Sequence, residues 1–203
     1  MRVLMLGNSF TYFNGMPEML KAALEEKTGE ETVVTAHTRG GAMLAEQYNP
    51  ETEMGARTLA ALKDEKWDYV VLQEQSHSPV TKRKCFQASA DTLCGMIRAN
   101  GAEPVFYATW AYRDGSEKLA GMGMDYDAMF RGLYDSYHEA ADRNGAPIAD
   151  VGAVFYRLTK TAGVAAPELL RDDDYHPTRD GSLIAANEIA RVIAEREREK
   201  AER

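Results

Sequence analysis

The stretch VLMLGNSFT, residues 3–11, indicates the fold class, because a short apolar run passes directly into a glycine turn. Val3 to Leu6 are consecutive apolar residues, which is typical of a short strand that is buried on both faces of a sheet. Gly7, Asn8 and Ser9 follow, and these residue types favour tight turns. The stretch therefore predicts a buried parallel strand whose carboxyl end exposes the Ser9 hydroxyl.

Further short apolar runs follow at intervals and are interpreted as strands of the same sheet. They are Thr32 to Ala36, Tyr69 to Leu72, Val105 to Thr109 and Ile148 to Val151. Amphipathic stretches with apolar residues three and four apart lie between them, as helices require. This alternation predicts βαβ units and a three-layer α/β/α sandwich around a five-stranded parallel sheet.

Three helical stripes are clear, and a fourth helix is expected after Pro177. The stripes span Met16 to Leu24, Phe86 to Ile97 and Tyr126 to Ala141. The last helix runs into the charged segment Glu195 to Arg203, which we expect to fray. At 203 residues, the chain is predicted to form a single domain over residues 1–203.

The charge of the chain argues against two classes of partner. It has 24 Lys and Arg against 32 Asp and Glu, a formal net charge of -8, so binding to nucleic acid or to an anionic membrane through charge is not expected. No apolar run approaches the roughly 20 residues of a membrane span, and no signal peptide is recognised. These features predict a cytoplasmic protein. The oligomeric state cannot be read from the sequence.

Ser9 needs a neighbouring base to act as a nucleophile near neutral pH, and histidine has the appropriate proton affinity. His176 is the best candidate, because Asp173 precedes it by three residues and can bond its Nδ1 through one tight turn. Two simpler interpretations remain open. The Gly-Asn-Ser segment can be turn chemistry alone, and the acidic run at 172–174 can be a solvated loop or a cation site.

The other histidines have different contexts. His37 and His77 follow the second and third predicted strands, where they can be substrate contacts or ordinary loop residues. His138 falls within a helix. Because ligands bind at the carboxyl ends of strands in such sheets, the first two lie at the functional edge.

Several motifs, taken in order, resemble the SGNH/GDSL hydrolase superfamily over nearly the whole chain. They are Gly7-Asn8-Ser9-Phe10-Thr11, Gly40-Gly41, Gln73-Glu74-Gln75-Ser76 and Asp173-x-x-His176-Pro177. The resemblance implies a flavodoxin-like SGNH fold and an esterase without metal or cofactor. It further implies that Ser9 attacks an ester carbonyl and that His176 acts as base, oriented by Asp173.

The resemblance also implies an oxyanion hole, made by the Ser9 N–H, a glycine N–H and an amide side chain. The glycine maps to Gly41, with Gly40 as the alternative. The third motif departs from the family pattern, which has Gly-x-Asn-Asp where this chain has glutamines. Gln75 is the better match for the missing asparagine, and Gln73 is second. In the first motif, Asn8 replaces the commoner Asp and is expected to cap the turn.

The substrate is expected to be a small ester, with an acetylated sugar favoured. Tyr12, Phe13 and Trp110 are suited to stacking on a sugar ring, and Gln73 and His77 are further candidate contacts. The segment Trp110 to Asp125 can be a lid or a surface loop. Two alternatives to an esterase remain: a flavin- or phosphate-binding module of flavodoxin type, and an inactive relative that binds carbohydrate.

Overall fold

The computed structural model describes residues 1–163 and 165–202, and one parallel sheet organises them. Its strands are β1 (Arg2–Gly7), β2 (Val33–Thr38), β3 (Tyr69–Leu72), β4 (Glu103–Ala108) and β5 (Ile148–Asp150). Within the described residues the sheet has five strands in the order β2-β1-β3-β4-β5, and every neighbouring pair is parallel. The predicted α/β class and five-stranded parallel sheet are confirmed.

β3 alone among the described strands has its predicted bounds; β1 is one residue longer at each end and β5 is one residue shorter at its end. The other two strands differ more. β2 continues to Thr38, because His37 and Thr38 pair with the end of β1. β4 begins at Glu103 rather than Val105, and its first two residues pair with the start of β3. The predicted strand does not include Glu103 and Pro104. Proline has no N–H to donate to a neighbouring strand, so it argues against a strand except near the strand's first residue.

The helices cover both faces of the sheet. They are α1 (Ser9–Tyr12), α2 (Met16–Thr28), α3 (Glu53–Asp64), α4 (Ser78–Thr81), α5 (Arg83–Asn100), α6 (Glu117–Gly121), α7 (Tyr126–Asn144), α8 (Val151–Lys160), α9 (Ala166–Leu169) and α10 (Arg179–Ala201), with 3₁₀ turns at Phe13–Gly15 and Leu44–Tyr48. α2 and α10 pack against each other, whereas α5 packs against α3 and α7. No helix in the described ranges has the length and apolar character needed to cross a bilayer.

The central strands supply the middle of the core. Val3 to Leu6 in β1 are fully buried, as are Tyr69, Val70 and Leu72 in β3. Complete burial of one such aliphatic side chain contributes about 1.5–3 kcal/mol. The apolar core therefore fixes the position of β1, and with it the position of the turn that follows β1.

The charged end of the chain, which is predicted to fray from about Glu195, is helical over the residues that are described. α10 continues to Ala201, and Arg203 lies outside the described residues. Arg196 pairs with Glu103 at 2.7 Å, and the Tyr69 hydroxyl donates to Glu197 at 2.5 Å. These contacts with the sheet support a helical end that a run of charges alone would not stabilise.

Candidate active site

The turn after β1 presents Ser9 at the first position of α1. The Asn8 side chain caps this helix, since its Oδ1 accepts from the Phe10 N–H at 3.1 Å, as its residue type predicted. A Cβ atom at Gly7 would overlap Thr11 Oγ1 and Gln73 Oε1, so only glycine fits there. Close packing at Gly7 thus fixes where the Ser9 hydroxyl points.

A continuous hydrogen-bonded chain joins Ser9 to Asp173. His176 Nε2 lies 2.8 Å from Ser9 Oγ, and His176 Nδ1 lies 2.7 Å from Asp173 Oδ2. Asp173 Oδ1 also accepts from the backbone N–H of His176 at 2.9 Å, which closes the tight turn between them. With Nδ1–H donating to the carboxylate, Nε2 is free to accept the serine proton.

The electrostatics of Asp173 suit this arrangement. Partial burial raises the pKa of its carboxyl, but hydrogen bonds from the His176 imidazole and from the backbone N–H groups of His176 and Tyr175 outweigh it, so the pKa is lowered. The carboxylate is therefore ionised near neutral pH. A fixed negative charge beside Nδ1 stabilises the imidazolium that forms when His176 takes a proton.

Aromatic rings flank the imidazole of His176. The ring of Phe13 stacks on it at 4.2 Å between centroids, and the ring of Tyr175 lies at the same separation. Arg113 holds the loop that carries these groups, because its N–H donates to Asp174 O at 2.8 Å and its Nη2 to Arg171 O at 2.6 Å. The rings and the arginine limit the movement of the imidazole.

The loop after β2 places Gly40 and Gly41 close to the turn that carries Ser9. Gly41 has a left-handed backbone with φ of 68°, which favours glycine. Asn8 Nδ2 donates to Ala42 O at 3.1 Å and so attaches this loop to the serine turn. Among the described residues, the N–H groups of Ser9 and Gly41 donate to no other part of the chain. Both are available to a negatively charged oxygen.

The two glutamines after β3 have different surroundings. Gln75 lines the cleft: its Oε1 accepts from Ser78 Oγ at 2.9 Å and its Nε2 donates to Ser76 Oγ at 3.2 Å, which leaves one amide hydrogen unused. Gln73 is fully buried, and its Oε1 accepts from the Asn8 N–H at 2.9 Å. Gln73 supports the serine turn from below, and its position does not support the predicted contact with substrate.

Glu74 connects the second and third motifs. Its carboxylate accepts from the Gln75 N–H at 2.6 Å and from the Leu44 N–H at 3.3 Å. The side chain is buried, and burial raises the pKa of Glu74 to about 7 although these two N–H groups oppose the increase. The Glu74 side chain thus holds the loop after β3 against the loop after β2, which carries Gly41.

Two predicted substrate contacts lie elsewhere. Trp110 is fully buried and stacked between Phe10 at 4.7 Å and Phe155 at 4.4 Å, so it belongs to the core beneath the serine turn. His77 does not line the cleft and bonds Thr81 Oγ1 at 3.0 Å through Nδ1. Packing against residues distant in the sequence decided the position of Trp110, whereas the partner of His77 lies four positions further along the chain.

The remaining histidines have structural partners. His37 is buried, and its Nδ1 lies 3.0 Å from Thr58 Oγ1. Burial, with a smaller effect from Arg57, lowers its pKa to about 4, so this imidazole is neutral near pH 7. His138 bonds Asp150 through Nε2 at 2.9 Å. Of the four histidines, His176 is the one that contacts Ser9.

A cleft of about 480 Å³ opens over Ser9, a volume suited to a small molecule. Tyr12 and Phe13, which are predicted to stack on a sugar ring, line it, and the segment Trp110 to Asp125 contributes Tyr112 and Lys118. The segment covers one side of the cleft and includes α6. Sequence reasoning missed Lys118 and Tyr175, although the position of Tyr175 next to His176 was a signal that could have identified it.

The structure is similar to those of known hydrolases. A protein from Slackia heliotrinireducens assigned to the SGNH hydrolases shares 43% sequence identity, with a TM-score of 0.86 over 95% of this chain and 98% of that one. An acetylxylan esterase from Geobacillus stearothermophilus shares 16% identity, with a TM-score of 0.70 over 95% and 93%. A protein from Parabacteroides merdae assigned to the GDSL-like lipases shares 13%, with a TM-score of 0.72 over 94% of each chain.

The last two similarities show a shared fold alone. No family model and no curated protein sequence matches this chain.

Proposed function

This chain belongs to the SGNH hydrolase family, and from that premise we propose that it is a serine esterase with Ser9 as nucleophile, His176 as base and Asp173 as the group that orients the base. The observation that carries the proposal is the Asp173–His176–Ser9 chain, with contacts of 2.7 Å and 2.8 Å, in which Ser9 and His176 line one cleft. Nucleophile, base and orienting carboxylate in direct contact are the arrangement that acyl transfer requires.

In the first half of the reaction, His176 Nε2 accepts the Ser9 proton as Oγ bonds to the ester carbonyl carbon. The imidazolium then donates that proton to the leaving alcohol, the carbon–oxygen bond breaks, and the acyl group remains on Ser9. In the second half, His176 takes a proton from water, the resulting hydroxide equivalent attacks the acyl carbon, and Ser9 leaves with the proton restored. The acid is released and the enzyme is regenerated.

The carbonyl oxygen becomes negatively charged in each tetrahedral intermediate. The Ser9 N–H and the Gly41 N–H are the proposed backbone donors, and the unused amide hydrogen of Gln75 is the proposed third. A donor that is preorganised for this charge is worth roughly 3–4 kcal/mol of transition-state stabilisation. Gln75 thus takes the role that an asparagine has in the family pattern.

The proposed substrate is a small acyl ester, with an acetylated carbohydrate favoured. Aromatic side chains on the cleft wall, Tyr12 and Phe13 among them, offer apolar faces to a sugar ring. The shared fold with an acetylxylan esterase is consistent with this substrate class. The alternative, a flavin- or phosphate-binding module, gives no role to the His176–Ser9 contact.

The test is hydrolysis of p-nitrophenyl acetate and butyrate by the wild type, Ser9→Ala and His176→Ala, with His138→Ala as a matched control. His138 bonds Asp150 and does not line the cleft. We expect turnover by the wild type and control, and a loss of at least about 10³-fold in the other two variants. Equal rates in all four folded proteins would show that Ser9 is not the nucleophile for these esters.

A further inference from the structure

Lys118 is the one permanently charged side chain on the wall of the cleft, within the part of the chain that the structure describes. No carboxylate of the described residues lines this wall, although the chain as a whole has a formal net charge of -8. A local positive charge inside an acidic protein favours anionic ligands over cationic ones. The cleft therefore differs in electrostatic character from the rest of the molecule.

The position of Lys118 places this charge near the reacting groups. Its Nζ lies 4.0 Å from the centroid of the Tyr175 ring, and that ring lies 4.2 Å from the imidazole of His176. One aromatic ring thus separates the ammonium group from the proposed base.

The ammonium group of Lys118 retains capacity to bind a ligand. Across residues 1–163 and 165–202, the lysines that form ion pairs within 4.0 Å are Lys21, Lys160 and Lys200. Lys118 forms none there, and its Nζ lies over the face of the Tyr175 ring. The ammonium group has three N–H donors, and a ring on one side of it leaves donors on the other side for a ligand. An incoming carboxylate could accept from them without displacing an existing ion pair.

A pair of hydroxyl groups provides a neutral donor on the same wall. Ser76 Oγ and the Tyr112 hydroxyl are 2.6 Å apart, and the Tyr112 ring lies 5.4 Å from that of Tyr175. One hydroxyl donates to the other, which leaves one hydroxyl hydrogen for a ligand. Burial raises the pKa of Tyr112 despite the opposing hydrogen bond with Ser76, so the phenol keeps its proton.

We propose that the cleft selects esters that carry a carboxylate, such as acetylated sugar acids, and that Lys118 binds this carboxylate. The Ser76–Tyr112 pair supplies a hydrogen bond beside it. The inference rests on the proposed esterase function, in which the acetyl group is placed at Ser9. It adds a charge preference that the aromatic wall alone does not create, because aromatic rings accept neutral and anionic sugars alike.

The experiment uses two esters that differ only in charge: a methyl glucuronoside acetylated on its ring hydroxyls, as the free acid and as the carboxamide. Acetate release is measured with the wild type, Lys118→Met and Lys118→Arg. Met keeps the length and packing of the side chain over Tyr175, and Arg keeps the charge. Lys63→Met, on the exposed face of α3, controls for the change in net charge.

We expect the wild type to favour the acid by about fivefold in kcat/KM, the size of one partly exposed ion pair. The ratio should fall to near one in Lys118→Met, remain in Lys118→Arg and Lys63→Met, and decrease at high salt in the wild type. A wild-type ratio near one, or an undiminished preference in Lys118→Met, would overturn the inference. In either of these cases, Ser9-dependent release of acetate from the carboxamide form of the ester would still support the proposed esterase function.

If neither ester is hydrolysed, the proposed deacetylation of sugars fails, and binding decides the charge preference separately. Calorimetric titration of Ser9→Ala with both esters is then compared with the same titrations of a Ser9→Ala/Lys118→Met double variant. Tighter binding of the acid that disappears in the double variant supports the inference. Equal affinity of Ser9→Ala for both esters contradicts it.

Discussion

The Asn14 side-chain amide donates to the backbone carbonyl oxygen of Pro177 at 3.0 Å, which joins the loop after Ser9 to the residue after His176. The same amide nitrogen lies 3.0 Å from Thr178 O and 2.9 Å from Ser182 Oγ. Ser9 and His176 are 167 positions apart in the chain, so their hydrogen bond depends on tertiary contacts of this kind.

Removing the Asn14 amide should loosen the contact between Ser9 and His176. Asn14 has a left-handed backbone with φ of 59°, so Asn14→Gly keeps this conformation and removes only the side chain. We expect the free energy of unfolding to fall by about 1–2 kcal/mol. Activity on p-nitrophenyl acetate should fall about tenfold, because small misplacements of reacting groups are costly.

Urea unfolding and steady-state kinetics measure these two effects for Asn14→Gly. The matched control is Asn187→Ala, since the Asn187 amide donates to Leu183 O within the same helix, α10. Wild-type activity in Asn14→Gly would contradict the positioning role.

The run of three aspartates offers an internal comparison. Asp173→Asn retains an oxygen for the backbone N–H of His176 but loses the charge beside Nδ1, so His176 can adopt the wrong tautomer. We expect kcat to fall by at least about 100-fold while the circular dichroism spectrum is unchanged. Asp172→Asn, one position earlier and exposed, should retain activity. Similar losses in both variants would point to loop disruption instead.

Substitution of Gln75 should lower mainly the activity, whereas substitution of Gln73 should lower mainly the stability. Gln75→Ala removes the proposed oxyanion donor, and kcat should fall by roughly 10²-fold with a small change in stability. Gln73→Ala leaves the buried Asn8 N–H without its acceptor, so the free energy of unfolding should fall by about 1–3 kcal/mol. Kinetics and urea unfolding are measured on both variants. The opposite pattern would return Gln73 to the oxyanion role.

Stability should depend on pH through Glu74. Burial raises the pKa of Glu74 from its ordinary value of 4.5 to about 7 in the folded protein, so the folded state holds the proton more tightly than the unfolded state. The free energy of unfolding should therefore decrease as pH rises from about 4.5 to about 7, by at most roughly 3 kcal/mol. Glu74→Gln carries no charge at any pH and should lack this decrease.

Urea unfolding at about pH 5 and about pH 8 tests the linkage. Glu18→Gln, in the first turn of α2, is the control and should follow the wild type. Identical pH dependence in the wild type and Glu74→Gln would show that the Glu74 pKa is not raised.

Much of the fold could be predicted because each strand is a local run of apolar residues. The run Tyr69–Leu72 matches β3 at both ends, and the stripe from Tyr126 ends at Asn144 as the Asn-Gly signal indicated. The end of α10 could not be predicted, since its charges are stabilised by Glu103 and Tyr69 on distant strands. Local patterns carry no information about such partners.

The order of strands and helices along the chain could be read from the sequence, as could Ser9, Asp173 and His176 as candidates, because residue types and positions after strands are local properties. The packing of the folded chain was needed to show that Trp110 is core, that Gln73 lies beneath the serine turn and that Lys118 reaches the cleft. The direction of a loop side chain depends on which distant residues pack against that loop, and close packing is a property of the folded whole.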